Sequence, residues 1–238
     1  MPNRSWLRTV DLCRYYRSGQ HEIHALEGIS LEVKKGEFLG IVGSSGSGKS
    51  TLLNLLAGLD TPSSGFVEFN GAVLSGMSRK QLASYRALSV GMIFQSFNLV
   101  PHYTALQNDE TALFFNGTQP KNRRKVAVEV LEHLGLGDRV SHKPSDLSGG
   151  EQQRVAVARA IVKKPEILFA DEPTGNLDFE NAQQIGQLLT RLNREGLTVI
   201  MVTHNLEMAK ECADRTIRMQ YGNVVWSGGE GSSRENST

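Results

Sequence analysis

Two stretches of the 238-residue chain carry residue types that act on polyphosphates. Gly43-Ser44-Ser45-Gly46-Ser47-Gly48-Lys49-Ser50 fits G-x-x-x-x-G-K-[ST]; it follows the apolar run Phe38 to Val42 and leads into the apolar stretch Thr51 to Leu56. Glycines at this spacing let the backbone wrap an anion, and successive N–H groups turn inward to meet it. The helix expected next brings its positive end to the same point. Lys49 is then a point charge for β and γ phosphates, and the Ser50 hydroxyl is placed for Mg²⁺. A chance Gly/Ser turn would not require a strand before it and a helix after it.

The second stretch is Ile167-Leu168-Phe169-Ala170, which runs straight into Asp171-Glu172. A buried strand ending in a carboxylate beside a phosphate loop is how Mg²⁺ is held in this chemistry, which assigns Asp171 to the metal. Glu172 lies one residue further, points differently, and suits polarisation of an attacking water. Taken alone, the pair also reads as a strand-end cap before Pro173. A third stretch, Ser148-Gly149-Gly150-Glu151, precedes a helical pattern and makes a second anion-binding helix end, or at minimum an N-capping turn.

These residues need strands and helices to position them. Phe38 to Val42, Ile167 to Ala170 and Thr198 to Val202 are apolar at consecutive positions, as in strands covered on both faces of a parallel sheet. Ile185, Leu188, Leu189 and Leu192 follow helical spacing, as do Val155, Ala158 and Val162. Strand and helix alternating in this order predict an α/β sheet with right-handed crossovers. Leu7 to Leu12 and Ile29 to Val33 alternate more, which predicts an antiparallel layer beside that core. From about Ser96 to Asp146 strand signals vanish. Leu106 to Phe115 and the row Val126, Val130, Leu134 predict helices there, a lobe inserted into the core. The segment from Ser227 to Thr238 is Gly, Ser and charge, and reads as a disordered tail.

Composition removes several classes. Hydrophobic residues at 39% and charged residues at 21% are ordinary for a globular core. Lys+Arg 26 against Asp+Glu 25 leaves a formal charge of +1, so no global field recruits nucleic acid or an anionic bilayer. Cys13 and Cys212 match no metal spacing and no disulfide framework, which points to a reducing compartment. No apolar run approaches the roughly 18 to 20 residues of a membrane span, and Met1 to Leu12 carries no secretory core segment.

The remaining motifs narrow the class. Leu147-Ser148-Gly149-Gly150-Glu151-Gln152-Gln153, continuing through Arg154 to Ala160, resembles the signature sequence of ABC-type ATPases. In the same order, Gln95 after Ile93-Phe94 is similar to that family's Q-loop, Asn176-Leu177-Asp178 to its D-loop and Thr203-His204 to its switch histidine. Tyr16, ahead of the first long strand, is similar to the aromatic that stacks on adenine, with Tyr15 the neighbouring alternative. The resemblance spans about Trp6 to Trp226.

The resemblance implies one P-loop NTPase (RecA-like) domain, 1–226. Its parallel-sheet core takes about 1–95 and 154–226, beside an N-terminal antiparallel β layer, with an inserted helical subdomain at about 96–153. It implies ATP hydrolysis with Mg²⁺. Glu172, His204 and Gln95 would be catalytic. Tyr16, Gly43, Ser44, Ser45, Gly46, Ser47, Gly48, Lys49, Ser50 and Thr51 would bind ATP, and Ser50, Gln95 and Asp171 the metal. Ser148, Gly149, Gly150 and Glu151 would cover the γ-phosphate held by a second copy placed head-to-tail, with Asp178 in the D-loop between the two sites. Further implied partners are integral membrane permease subunits on a separate chain, and no nucleic acid. The location is the cytoplasmic face of the inner membrane, peripherally bound.

The run from Ile41 to Leu53, Gly58-Leu59-Asp60, and Asp171 to Asp178 resemble a bacterial branch that includes lipoprotein-releasing and macrolide- or peptide-exporting ATPases. One departure is Gln107-Asn108-Asp109-Glu110, where that branch has a Glu-Asn-Val-like run, near the expected membrane-partner contact. The competing class is an ABC ATPase of chromosomes, repair or ribosomes. Long coiled coils or a second cassette would mark it, and this chain has neither.

Overall fold

Alternation governs the N-terminal layer of the computed structural model, which describes residues 6–19 and 21–229. β1 (Leu7–Ser18) and β2 (His21–Val33) pair antiparallel, and on β2 Ile29, Leu31 and Val33 turn inward while their neighbours face out. Consecutive burial takes over in β3 (Phe38–Val42), where all five residues are buried, and the chain then enters α1 (Lys49–Leu56). β4 (Ser64–Phe69) returns to the outer layer beside β1, followed by the short β5 (Ala72–Val73). α2 (Arg79–Leu88) starts at a capping box in which Ser78 and Gln81 satisfy each other's backbone N–H. It leads to β6 (Val90–Ile93).

The inserted lobe comes next: α3 (Ala105–Phe115), capped by Thr104 and Gln107, and α4 (Pro120–His133), with proline in its first turn. α5 (Gly149–Ile161) belongs to both bodies, so the expected boundary at residue 153 falls inside it. Val155, Ala156, Val157 and Ala158 are all buried, because this helix meets α3 and α4 on one side and β6 on the other. The core closes with β7 (Ile167–Asp171), α6 (Phe179–Arg194), β8 (Thr198–Thr203), α7 (Leu206–Cys212), β9 (Arg215–Gln220) and β10 (Asn223–Gly229). β10 takes residues 227–229 out of the expected tail: Ser227, Gly228 and Gly229 pair with Ile217, Thr216 and Arg215, which a Gly/Ser composition does not advertise. The rest of that tail, 230–238, lies outside the described residues.

The two sheets run β2-β1-β4-β5 and β10-β9-β3-β8-β7-β6. In the second, β9, β3, β8, β7 and β6 are parallel and β10 is an antiparallel edge. Its side chains split between two cores. Phe38, Val42, Leu168, Ala170, Val199 and Met201 meet α3 to α7, whereas Leu39, Ile41, Ile167, Phe169, Ile200 and Val202 meet α1, α2 and the antiparallel sheet. The fold is thus α/β, with both faces of a parallel core covered. This explains why the central strands are apolar without alternation.

The register does the positioning. Val42 lies beside Thr203, Val202 beside Asp171, and Ala170 beside Ile93. Four parallel strands therefore end together. The phosphate loop, Gln95, Asp171-Glu172 and His204 leave from one carboxyl edge, the place where open α/β sheets bind ligands. Among the described residues no helix is long and apolar enough to cross a membrane.

Candidate active site

The loop from Gly43 to Ser50 begins where β3 ends. Gly48 has φ +97°, and a Cβ there would press on the Ala25 carbonyl and on Leu26. At Gly43 a Cβ would collide with the Met219 carbonyl and the Ser47 hydroxyl. Glycine is required at both. With Gly48 as N-cap, no side chain among the described residues satisfies the first N–H groups of α1, and they remain available to an anion. Lys49 is buried at 6% exposure, and its Nζ donates to the carbonyls of Gly43 and Ser44, 2.8 Å each. The ammonium is thereby held inside the loop it serves.

Ser50 Oγ donates to Asp171 Oδ1 at 3.0 Å, across 121 residues of sequence. Burial raises the Asp171 carboxyl above its ordinary range, against the pull of the Ser50 hydroxyl. A half-buried carboxyl next to a hydroxyl is a donor set for a hard cation that takes its other oxygens from phosphate and water. Among the described residues no cluster of three or more His, Cys, Asp or Glu forms a self-sufficient metal cage.

Glu172 sits in the left-handed region at φ 47°, a strained conformation for a residue with a side chain. Its N–H donates to the Val202 carbonyl at 2.9 Å, and its Oε2 accepts from the His204 N–H at 3.2 Å and meets His204 Nδ1 at 2.9 Å. That pairing occupies Nδ1 of the imidazole and leaves Nε2 for another partner. Gln95 lies against the turn after Glu172, where a Cβ on Gly175 would come within 2.8 Å of Gln95 Nε2. Asn176 Nδ2 donates to the Gln95 carbonyl at 3.0 Å. A cleft of about 630 Å³ joins Ser45 through Thr51 with Gln95, Glu172, His204 and the β2 residues Ile23, His24 and Ala25.

Ser148 through Glu151 do not line that cleft. Ser148 caps α5: its Oγ accepts from the Glu151 N–H at 3.2 Å, and Glu151 Oε2 accepts from the Ser148 N–H at 2.8 Å. Arg139 Nε donates to Glu151 Oε1 at 2.8 Å. The Ser148 N–H and the Arg139 guanidinium hold the Glu151 carboxyl down at about 2. A Cβ on Gly150 would strike Asn181, and Asn181 is gripped by Asp178 through its N–H at 2.8 Å and its Nδ2 at 2.7 Å. Asp178 is thus the N-cap of α6 and sets the surface on which the signature turn rests.

Tyr16 lies within β1, not ahead of it, because bulges let that strand run on to Ser18. Its hydroxyl donates to Asp60 Oδ2 at 2.8 Å, and the Arg14 guanidinium covers one ring face at 4.5 Å. The register sets Tyr16 across from Ile23 and Tyr15 across from His24, and both partners line the cleft. Tyr15 stacks on His24 with ring centroids 4.3 Å apart.

Gln153 closes the signature run, but the sequence assigns it no role of its own. It is fully buried and donates through Nε2 to the Pro173 carbonyl, tying the signature helix to the turn after Glu172. Its spacing, three and four residues before the apolar Ala156 and Val157, was the available signal.

Comparison with known proteins points the same way. The family model for ABC transporter matches residues 26–175. The "Uncharacterized ABC transporter ATP-binding protein YbbA" of Escherichia coli K12 is 48% identical over 225 residues, 94% of this chain and 98% of that protein. The "Macrolide export ATP-binding/permease protein MacB" of Marinobacter nauticus is 44% identical over 94% of this chain, which spans 35% of MacB. A dimeric ATP-binding cassette, solved in a post-hydrolysis state with ADP and Pi bound, superposes with a TM-score of 0.87. It is 39% identical, and the match covers 94% of this chain and 98% of that one.

Glu151 makes the signature turn acid-sensitive. Its folded-state value of about 2 lies below the ordinary 4.5, so its contribution is complete above pH 4.5 and is lost as pH falls toward 2. Glu151→Gln keeps an acceptor and removes that titration. In denaturant midpoints taken from pH 6 down to 2, the gap between wild type and variant is expected to close toward the acid end; a constant gap contradicts the assignment.

Proposed function

The chain belongs to the ABC transporter family as an ATP-binding, ATP-hydrolysing subunit, and from that premise we propose that two copies enclose two ATP molecules and drive membrane permease subunits on a separate chain. The observation that carries the reading is the division of the site. Phosphate loop, Glu172, His204 and Gln95 share one cleft, while the helix end at Ser148 to Glu151 faces elsewhere. Two copies related by a two-fold axis bring each signature turn to the other's triphosphate. The dimeric state of the solved cassette supports this arrangement.

In this reading Lys49 moves from the loop carbonyls to the β and γ phosphates, and the free N–H groups of α1 receive the same anion. When Mg²⁺ binds, Ser50, Asp171 and Gln95 would hold it, and it would supply neutralisation of charge on the phosphate oxygens. Glu172 takes a proton from the water that attacks the γ-phosphorus, the bond to the β–γ bridging oxygen breaks, and ADP and phosphate result. His204, fixed by Glu172, offers Nε2 to the γ-phosphate, and Ser148 with the Gly149 and Gly150 N–H groups of the second copy closes on it. Loss of that phosphate removes the contacts that favour the closed pair, and the pair reopens. The cycle acts on permease subunits at the cytoplasmic face of the inner membrane, through the lobe that follows Gln95. Similarity to MacB supports the branch that exports macrolides or peptides or releases lipoproteins. Adenine takes the Tyr16 ring face that Arg14 leaves uncovered.

Glu172→Gln is expected to lower steady-state hydrolysis by roughly 10² or more while ATP binding persists. An ATP-stabilised dimer should then accumulate in light scattering. Normal turnover in this variant would remove Glu172 from its role. Stacking under a base contributes about 1–3 kcal/mol. Tyr16→Ala should therefore weaken ATP binding in calorimetry by roughly tenfold, with Tyr16→Phe near wild type and Tyr15→Ala within a factor of about two. The reverse ranking transfers the role to Tyr15.

A further inference from the structure

The segment after Gln95 has no regular structure as far as Thr104, yet side chains from α3, from α5 and from the turn after β7 hold it. Asn176 donates to the Gln95 carbonyl. Asn108 of α3 meets the N–H of Val100 with its Oδ1 and the carbonyls of Val100, Tyr103 and Thr104 with its Nδ2. Arg159, near the end of α5, donates from Nη2 to the Phe97 carbonyl at 2.9 Å and from Nη1 to that of Asn98. Phe97 and Asn98 both sit at positive φ, 59° and 50°, so the loop is bent toward Arg159 through two strained residues.

Asp109 follows Asn108 in α3. It is fully buried, and neither carboxyl oxygen has a hydrogen-bond partner among the described residues. Burial favours its neutral form, and the charge it feels in opposition is that of Arg159. The two share no ion pair. The other cations beside Arg159 are Arg86 and Lys163, which are bonded to the carbonyls of Gly58 and Arg86. A buried carboxyl with nothing to bind destabilises the state that contains it. An apolar side chain would fill the same space among Ala105, Leu106 and Leu113 without that cost.

We propose that Arg159 and Asp109 are the two halves of a latch: Arg159 holds the Phe97 and Asn98 carbonyls in the state described here, and turns to the Asp109 carboxylate when the Gln95 loop withdraws. Arg159 is then a positioning residue. Because Ser148 caps α5, Arg159 makes the loop that senses nucleotide and the helix that closes on the partner's nucleotide move together. Asp109 supplies the second resting place, which lowers the cost of releasing the loop. The inference rests on the ATP-driven cycle above and adds the element that couples its two ends.

The test uses steady-state hydrolysis and ATP binding by the full chain. Asp109→Asn preserves volume and polarity but cannot form the ion pair. It should leave the denaturation midpoint, the ATP Kd and KM within about twofold and lower kcat roughly fivefold or more. Arg159→Lys, which retains the charge and loses the fork, should show the same split. The double variant should be no slower than the Arg159→Lys single, because both act on one step. Unchanged kcat in Asp109→Asn, a loss of kcat that merely follows a lowered midpoint, or losses that multiply in the double variant each overturn the latch. Absence of turnover in the wild-type chain would overturn the functional reading and the latch with it, whereas wild-type turnover indifferent to Asp109 removes the latch alone.

Discussion

The first turn of α1 presents backbone N–H groups that no side chain among the described residues satisfies, because Gly48 is its cap. An exposed helix end of this kind has a positive potential and a geometric demand for an anion. Much of the structure follows from keeping that turn open. Gly43 and Gly48 have no room for a Cβ, the Lys49 ammonium is parked on loop carbonyls, and the β9–β10 turn closes the loop from outside, with the Gly222 N–H donating to the Ser47 carbonyl at 3.1 Å. The parallel sheet then does one further thing. By ending β6, β7 and β8 beside β3, it brings Gln95, Asp171, Glu172 and His204 to the edge where the phosphate loop lies.

A single chain nevertheless leaves its cleft open on one side. The helix end at Ser148 is braced by Asn181 and Asp178 and by the Glu151–Arg139 ion pair, and all of these lie outside the cleft. In the proposed pair, a second molecule turned through a half rotation would bring the Ser148 helix end of each to the phosphate loop of the other. Internal links run between the same surfaces. Gln153 joins the signature helix to the Pro173 turn, and Arg159 joins it to the loop after Gln95.

The parts of this site whose signal is local were legible in the amino-acid order. The phosphate loop, the strand-end carboxylates and the capping turn at Ser148 each need only a few consecutive residues. The buried strands of the core were equally plain, since β3, β7 and β8 are apolar throughout. What stayed hidden depends on distant partners. Gln153 matters because of a carbonyl 20 residues on, and Arg139 because of Glu151, 12 residues away. The reach of β1 past Tyr16 depends on bulges against β2, and β10 exists because β9 offers an edge to Ser227, Gly228 and Gly229. α2 is mostly polar, with Tyr85 as its buried residue, so hydrophobic spacing is silent there. The pair Ser78 and Gln81, three apart, was the readable mark of its start.

The central claim is that each nucleotide is held by the phosphate loop of one molecule and the signature turn of another. Mixing two defective chains tests it directly: one carrying Lys49→Ala and the other Gly149→Asp, a position where an added side chain meets nothing closer than 3.7 Å within its own chain. Each variant alone should be nearly silent in phosphate release. Their equimolar mixture should regain activity, up to roughly a quarter of wild type, since half the pairs would be mixed and each would contain one intact site. A mixture that remains silent, or a Gly149→Asp chain that turns over ATP as a monomer, would contradict the account.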